Sequence, residues 1–272
     1  MFFRIRNFAA IMRVSCAYNR DDEFLKSLGG AMKVALFATC LLDQFFAGAG
    51  VATVRLLRSL GVEVDFPKAQ TCCGQPAFNA GHWDEARRMA RHTMAVFEGY
   101  DYVVLPSGSC GSMLKVHYPE LFEGLGKEYR RAVDLSERTY ELSQFIVRVL
   151  GVEKLGDGLK GRALAYHHGC HALRELGVEK EPILLLENAG ARIVPWEADR
   201  ECCGFGGVFS VKLPHVSVAM ADRKIDTLPE AEALVSTDAG CLLHLAGRMK
   251  RRGKPIPIRH LAELLWEARN AA

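Results

Sequence analysis

Several absences narrow this chain. No apolar run approaches the roughly 20 residues a helix needs to cross a bilayer; the richest stretch, Met32 to Leu42, is short and bounded by polar residues, so no transmembrane segment is expected. Charge of one sign is missing as well. Lys and Arg number 35 against 32 Asp and Glu, so no broad field singles out nucleic acid or an anionic membrane surface as a partner. The run Gly204-Phe205-Gly206-Gly207 lacks both the Lys-Ser/Thr ending of a phosphate loop and the full Gly-x-Gly-x-x-Gly fingerprint, which argues against a nucleotide. No Cys-x-x-Cys pair occurs anywhere.

What is present is an ample core and an unusual number of cysteines. At 272 residues and 49% hydrophobic content the chain can fold without disulfide staples. Its nine cysteines are an odd number, which argues against complete internal pairing and suits a reducing cytoplasm. Residues 1–31 carry no steady periodicity, whereas Met32-Lys33-Val34-Ala35-Leu36-Phe37 opens a buried strand. The first 31 residues are therefore read as a disordered leader or a misassigned start, with Met32 the expected beginning of the fold; Cys16 lies there and stays unassigned.

The chain repeats itself. An offset of 130 places Cys40 on Cys170, Cys72 on Cys202, Cys73 on Cys203 and Gly74 on Gly204. Cys110 and Cys241 follow the adjacent pairs by 37 and 38 positions, so one rule accounts for eight of the nine cysteines. Such self-similarity is the mark of a duplicated structural unit. Around it, Lys33 to Ala38, Val62 to Phe66 and Tyr102 to Leu105 read as strands, matched by Ala163 to His167, Arg192 to Trp196 and Ala233 to Val235. Amphipathic stretches lie between them: Phe46 to Leu60, His82 to Phe97, Glu181 to Asn188 and His215 to Leu228. Each half closes with an apolar segment and a helix, Ala132 to Leu135 with Tyr140 to Leu150, and Ile256 to Ile258 with Leu261 to Ala268.

Strands alternating with helices imply an α/β fold: two pseudo-symmetric tandem βαβ-type half-domains with mainly parallel sheets. The glycine-rich Gly151 to Gly161 marks the boundary, dividing the chain into 32–155 and 156–272. Ligands of such sheets gather beyond the carboxyl ends of the strands, and all eight repeated cysteines fall there. Four thiolates per half suit a [4Fe-4S] cluster, one thiolate per iron, and equally a four-cysteine zinc site. Adjacent cysteines are awkward as two ligands of one tetrahedral ion and easier on different irons of a cluster, which favours one or two [4Fe-4S] clusters, with zinc in one half as the alternative. A vicinal disulfide would be strained.

The Lys33-Val34-Ala35-Leu36-Phe37-Ala38-Thr39-Cys40 opening, the Thr71-Cys72-Cys73-Gly74-Gln75-Pro76 and Glu201-Cys202-Cys203-Gly204 loops and Ser107-Gly108-Ser109-Cys110 resemble the cysteine-rich (CCG) domain family. That family includes the cysteine-rich component of heterodisulfide reductase, iron–sulfur subunits of glycolate and glycerol-3-phosphate oxidation, and lactate utilisation proteins, the last being the nearest branch. The resemblance covers residues 32 to 268 and implies an iron–sulfur redox subunit that works with two companions in oxidising L-lactate to pyruvate. Two features depart from larger relatives. The fifth cysteine of the heterodisulfide reductase motif is replaced by Met113 and His244, which favours ordinary four-cysteine clusters. No Cys-x-x-Cys-x-x-Cys-x-x-x-Cys-Pro run is present, so electrons would pass to a ferredoxin-type iron–sulfur partner alongside a further lactate utilisation subunit.

The expected ligands are thus Cys40, Cys72, Cys73 and Cys110, with Cys170, Cys202, Cys203 and Cys241; His244 is an extra candidate. In His167-His168-Gly169-Cys170-His171 three imidazoles surround a ligand cysteine, which makes His167, His168 and His171 the catalytic candidates, set against simple capping or solvation. The competing readings are a zinc-stabilised scaffold that assembles other redox proteins, and an iron–sulfur subunit acting on glycolate, glycerol 3-phosphate or a heterodisulfide.

Overall fold

The computed structural model describes residues 32–271; the expected leader and Cys16 lie outside them. The first repeat contains β1 (Val34–Leu36), α1 (Cys40–Phe45), α2 (Ala47–Ser59), β2 (Val64–Asp65), α3 (Gln75–Asn79), α4 (Trp83–Val96), β3 (Tyr102–Leu105) and α5 (Gly108–Ser112). A π-helical turn, Met113–His117, joins α5 to α6 (Tyr118–Leu121), followed by α7 (Lys127–Glu137), β4 (Thr139–Glu141), α8 (Leu142–Gln144) and a second π-helical turn, Phe145–Val149. The second repeat runs β5 (Ala163–Tyr166), α9 (Cys170–Arg174), α10 (Lys180–Asn188), β6 (Arg192–Ile193), α11 (Val208–Lys212), α12 (Pro214–Asp226), β7 (Ala233–Ser236), α13 (Ala239–Arg251), β8 (Ile258–His260) and α14 (Leu261–Asn270).

The eight strands build two sheets ordered β2-β1-β3-β4 and β6-β5-β7-β8. Every pairing is parallel. Parallel neighbours require crossover helices that cover both faces, so central strands read as unbroken apolar runs; β1 and β7 are buried along their whole length. Register repeats as well, with Ala35 opposite Val103 in one sheet and Ala165 opposite Leu234 in the other.

One closing segment differs from expectation. Ala132 to Leu135 lies inside α7, where Ala132 and Leu135 are the buried positions, three residues apart on one helical face. The closing strand of that sheet is β4, which buries Thr139 and Glu141 instead of an apolar run. Its polarity hid it.

The repeats share a core. Leu56 and Leu57 of α2 join Leu261, Leu264 and Leu265 of α14 in one buried cluster that extends to Val34 and Leu164 of the two sheets. Burying each such side chain contributes roughly 1.5–3 kcal/mol. On the other side of the molecule α5 meets α9 so closely that a Cβ on Gly108 would overlap Ala172, and one on Gly169 would overlap the Asp238 carboxylate. These two junctions turn the carboxyl ends of both sheets toward one another.

Candidate metal centre

Local rules at the strand ends place each thiol. After β1, Thr39 caps α1 by accepting the Leu42 N–H at 3.2 Å, which makes Cys40 the first helical residue. After β3, Ser107 caps α5 and accepts the Cys110 N–H at 3.4 Å. Cys170 opens α9 directly behind Gly169, and Cys241 is the third residue of α13 behind Asp238. The adjacent pairs occupy loops beyond β2 and β6, each followed by a glycine in the left-handed region, Gly74 at φ 88° and Gly204 at φ 86°. That turn aims backbone donors at sulfur: the N–H groups of Gly204 and Phe205 donate to Cys202 Sγ and Cys203 Sγ, each at 3.4 Å.

In the first repeat Cys40 Sγ lies 3.6 Å from Cys72 Sγ, and Cys73 Sγ lies 3.4 Å from Cys110 Sγ. All eight repeated cysteines are free and line a single cavity of about 200 Å³ between the repeats. One buried water needs only ~10–15 Å³ of such space, so the volume suits polyatomic groups better than a single ion.

The thiols compete for protons. Hydrogen bonds from Cys40 and Cys73 pull the Cys72 thiol down to about 3, and those from Cys170 and Cys203 pull Cys202 down to about 2, each helped by the N–H of the following glycine. Their donors move the other way: Cys40 and Cys170 are pushed up chiefly by the hydrogen bonds they give, then by burial. Cys73 is raised by its hydrogen bonds to Cys110 and Cys72, and Cys203 by those to Cys202 and Cys241. The protein alone thus favours thiolate at Cys72 and at Cys202 over the cysteines that donate to them. Deprotonating Cys40, Cys73, Cys170 and Cys203 takes a bound cation, whose charge reverses the balance.

Of the candidate histidines, His167 is grouped directly with two of the thiols. It is fully buried, neither ring nitrogen has a protein partner, and a ring nitrogen lies within 4.8 Å of the sulfurs of Cys203 and Cys241. Burial lowers its pKa to about 3, so the ring is neutral and able to ligate or to donate one hydrogen bond. The matching residue of the first repeat is Phe37, equally buried and without polar atoms. His171 also lines the cavity. His168 instead packs edge-on against Tyr166, with its Nε2 4.0 Å from Asp199. The Nε2 of His244 meets the Ser217 hydroxyl at 3.3 Å.

Two residues escaped the sequence reading. Asp238 lines the cavity and accepts from the Ser107 hydroxyl at 3.2 Å and the Ser109 N–H at 2.9 Å, joining the repeats at the cleft floor. Its position ahead of α13 was the available signal, since aspartate is a common N-cap. Lys224 is completely buried, donating to the carbonyls of Ala198 and Glu201 with its ammonium 4.2 Å over the Trp196 ring. Burial lowers its pKa to about 8 against the opposing charge of Cys203 and Cys241. The signal there was a lysine in register with Ser217, Ala221 and Ile225 on the buried stripe of α12.

The cysteine-rich domain family matches this sequence twice, over residues 34–115 and 164–246. The chain belongs to the cysteine-rich CCG family. As a CCG protein it is 52% identical over 237 residues to lactate utilization protein A of Geobacillus sp. strain WCH70, covering 86% of this chain and 99% of that one. It is 52% identical to the protein of the same name from Geobacillus kaustophilus over 88% of this chain and all of that protein. Lactate utilization protein A 2 of Bacillus cereus strain 03BB102 is 43% identical over the same share. Among solved structures, a hypothetical protein from Helicobacter pylori aligns with a TM-score of 0.61 at 10% identity, covering 97% of this chain and 57% of that longer one, a likeness of fold. No helix among the described residues is long and apolar enough to cross a membrane.

Proposed function

We propose that this CCG protein is the iron–sulfur redox subunit of a cytoplasmic complex that oxidises L-lactate to pyruvate. The observation that carries the reading is the convergence of two four-cysteine sets on one cavity, in a chain alike over its length to lactate utilization protein A. Cys40, Cys72, Cys73 and Cys110 would hold one [4Fe-4S] cluster, and Cys170, Cys202, Cys203 and Cys241 a second. The donor set fits: eight sulfurs, backbone N–H groups aimed at Cys202 and Cys203, and an unpartnered buried imidazole beside Cys203 and Cys241. Bound there, such clusters supply one-electron storage, and two of them match the two electrons released when lactate becomes pyruvate. The thiols anchor the group, the N–H donors offset its negative charge, and Lys224 places a buried cation behind it.

With no ferredoxin-type cysteine run in the sequence, electrons leave to a ferredoxin-type partner, and a further lactate utilisation subunit completes the complex. A second reading, zinc in the first repeat, has one specific observation in its favour. A tetrahedral ion with Zn–S near 2.3 Å sets sulfurs about 3.8 Å apart, close to the 3.6 and 3.4 Å found there.

Anaerobic purification with iron, zinc and acid-labile sulfide analysis separates the readings. About eight irons and eight sulfides per chain are expected, falling to about four of each in Cys72→Ser. Stoichiometric zinc without labile sulfide, after oxygen-free reconstitution, would refute the redox role. Unimpaired growth on L-lactate after deletion, in a strain with no other lactate-oxidising system, would refute the substrate.

A further inference from the structure

Beside the thiol cavity a second group of ligating side chains spans the two repeats. His117 belongs to the first repeat and ends the π-helical turn Met113–His117. Such turns are rare, cost helical regularity and frequently mark functional positions. His171 and Glu175 come from the second repeat, one helical turn apart along α9 and its C-cap, so their side chains share a face. The contact of α5 with α9 at Gly108 and Ala172 brings the three together.

The geometry is that of a three-ligand set. His117 Nε2 lies 3.2 Å from Glu175 Oε2, and His171 Nδ1 lies 2.9 Å from Glu175 Oε1. One ligating atom from each residue falls within 4.8 Å of the other two. Around them stands a supporting layer. His117 Nδ1, the nitrogen turned away from the group, is 2.7 Å from the Glu120 carboxylate, and the Ser112 hydroxyl donates to Glu175 Oε2. Phe78 stacks on the His117 ring with centroids 4.6 Å apart, which fixes its plane. A carboxylate behind a histidine sets its tautomer and makes the free nitrogen a better donor, the arrangement found behind metal-bound imidazoles.

Surface ion pairs contribute little on their own, which gives pairing alone little reason to carry this layer. We propose that His117, His171 and Glu175 bind one divalent transition-metal ion, zinc by the character of two imidazoles and one carboxylate, in a site separate from the eight thiols. Three protein ligands leave a coordination position open, as in catalytic rather than structural zinc sites. His171 lines the thiol cavity, so a ligand at that position, water or the carboxylate of a small anionic substrate, sits at the cavity wall. The site also ties the repeats together through one ion.

The proposal does not depend on which metal fills the thiols, and the test is built accordingly. Full-length protein, reconstituted anaerobically with iron and sulfide, is dialysed against buffered Zn²⁺, and zinc, iron and sulfide are measured per chain. Wild type is expected to hold one zinc per chain more than His117→Ala, with iron and sulfide equal in the two. Glu120→Gln, which leaves all three ligands in place, is expected to weaken zinc binding by about 10–100-fold. Equal zinc in wild type and His117→Ala, or zinc taken up only with matching loss of iron, overturns the proposal, as does Glu120→Gln binding zinc as tightly as wild type.

Discussion

Asp238 tests how the repeats are held at the cleft. Its buried carboxylate accepts the Ser107 hydroxyl and the Ser109 N–H, both from the opposite repeat. Hydrogen bonds to a charged group are worth about 1.5–3 kcal/mol each, so Asp238→Ala, which removes two, forfeits roughly 3–6 kcal/mol and strands a backbone donor at the start of α5. One opposing term reduces this. The Asp238 charge also disfavours thiolate at Cys170, and its removal returns about 1 kcal/mol by the same order of reasoning. Hydrogen bonding wins, and the expected net loss is about 2–5 kcal/mol. Asp238→Asn keeps an acceptor oxygen and should lose less than about half of that. Anaerobic denaturant unfolding of the full-length metal-loaded protein, followed by tryptophan fluorescence, reads the difference. A cycle with Ser107→Ala isolates the pair, for which a coupling of roughly 0.5–3 kcal/mol is expected. Stability of Asp238→Ala within about 0.5 kcal/mol of wild type, or strict additivity in the cycle, would show that this contact does not hold the cleft.

Two further outcomes follow from buried imidazoles. His167→Phe copies the first repeat's Phe37 into the second; iron and sulfide should stay, while one redox transition moves to more negative potential for want of a hydrogen bond to the cluster, and an EPR-monitored titration identical to wild type would refute that role. His260 is buried with its Nδ1 accepting the Ala262 N–H, and burial lowers its pKa from 6.5 to about 4. The unfolded chain therefore takes up the proton first, so stability is full above about pH 6.5 and is lost as pH falls toward 4; His260→Asn, which keeps a capping acceptor, should flatten that acid limb by up to roughly 3 kcal/mol, and unchanged pH dependence of unfolding would contradict it.

The parallel sheets and the convergence of the thiols were legible because both follow from local rules that repeat. A buried strand announces itself by an apolar run, and Cys40, Cys110, Cys170 and Cys241 each sit a few residues beyond one, where a cap must turn the chain. What stayed hidden depends on the partner repeat. β4 is polar because its Glu141 is answered by the Thr237 hydroxyl, 2.6 Å away and 96 residues later, and no window of local sequence contains both. His117 has the same difficulty: alone it is a histidine near a helix end, and its meaning comes from His171 and Glu175 across the seam. The pairing of whole repeats is a tertiary fact, set in part by Gly108, whose missing side chain lets α5 approach Ala172 and Asp238 of the second repeat.

The duplication also makes the differences between repeats informative. Aligned by their buried positions, α4 and α12 set Ala86, Ala90 and Met94 against Ser217, Ala221 and Ile225, which leaves Thr93 opposite Lys224. Likewise Phe37 stands opposite His167, Ala38 opposite His168, Leu41 opposite His171 and Ser107 opposite Asp238. Every one of these exchanges puts the group that carries a proton or a charge in the second repeat. A fold that only needed two equivalent metal anchors has no physical reason for this bias, because each buried polar group costs desolvation that an apolar one avoids. His167 is the sharpest case, fully buried with neither nitrogen partnered in the protein. That cost is recovered only if something bound beside Cys203 and Cys241 meets the ring. On this argument the two repeats are not equivalent, and at the positions compared the second carries the groups able to hold a proton or a charge beside whatever binds at Cys203 and Cys241.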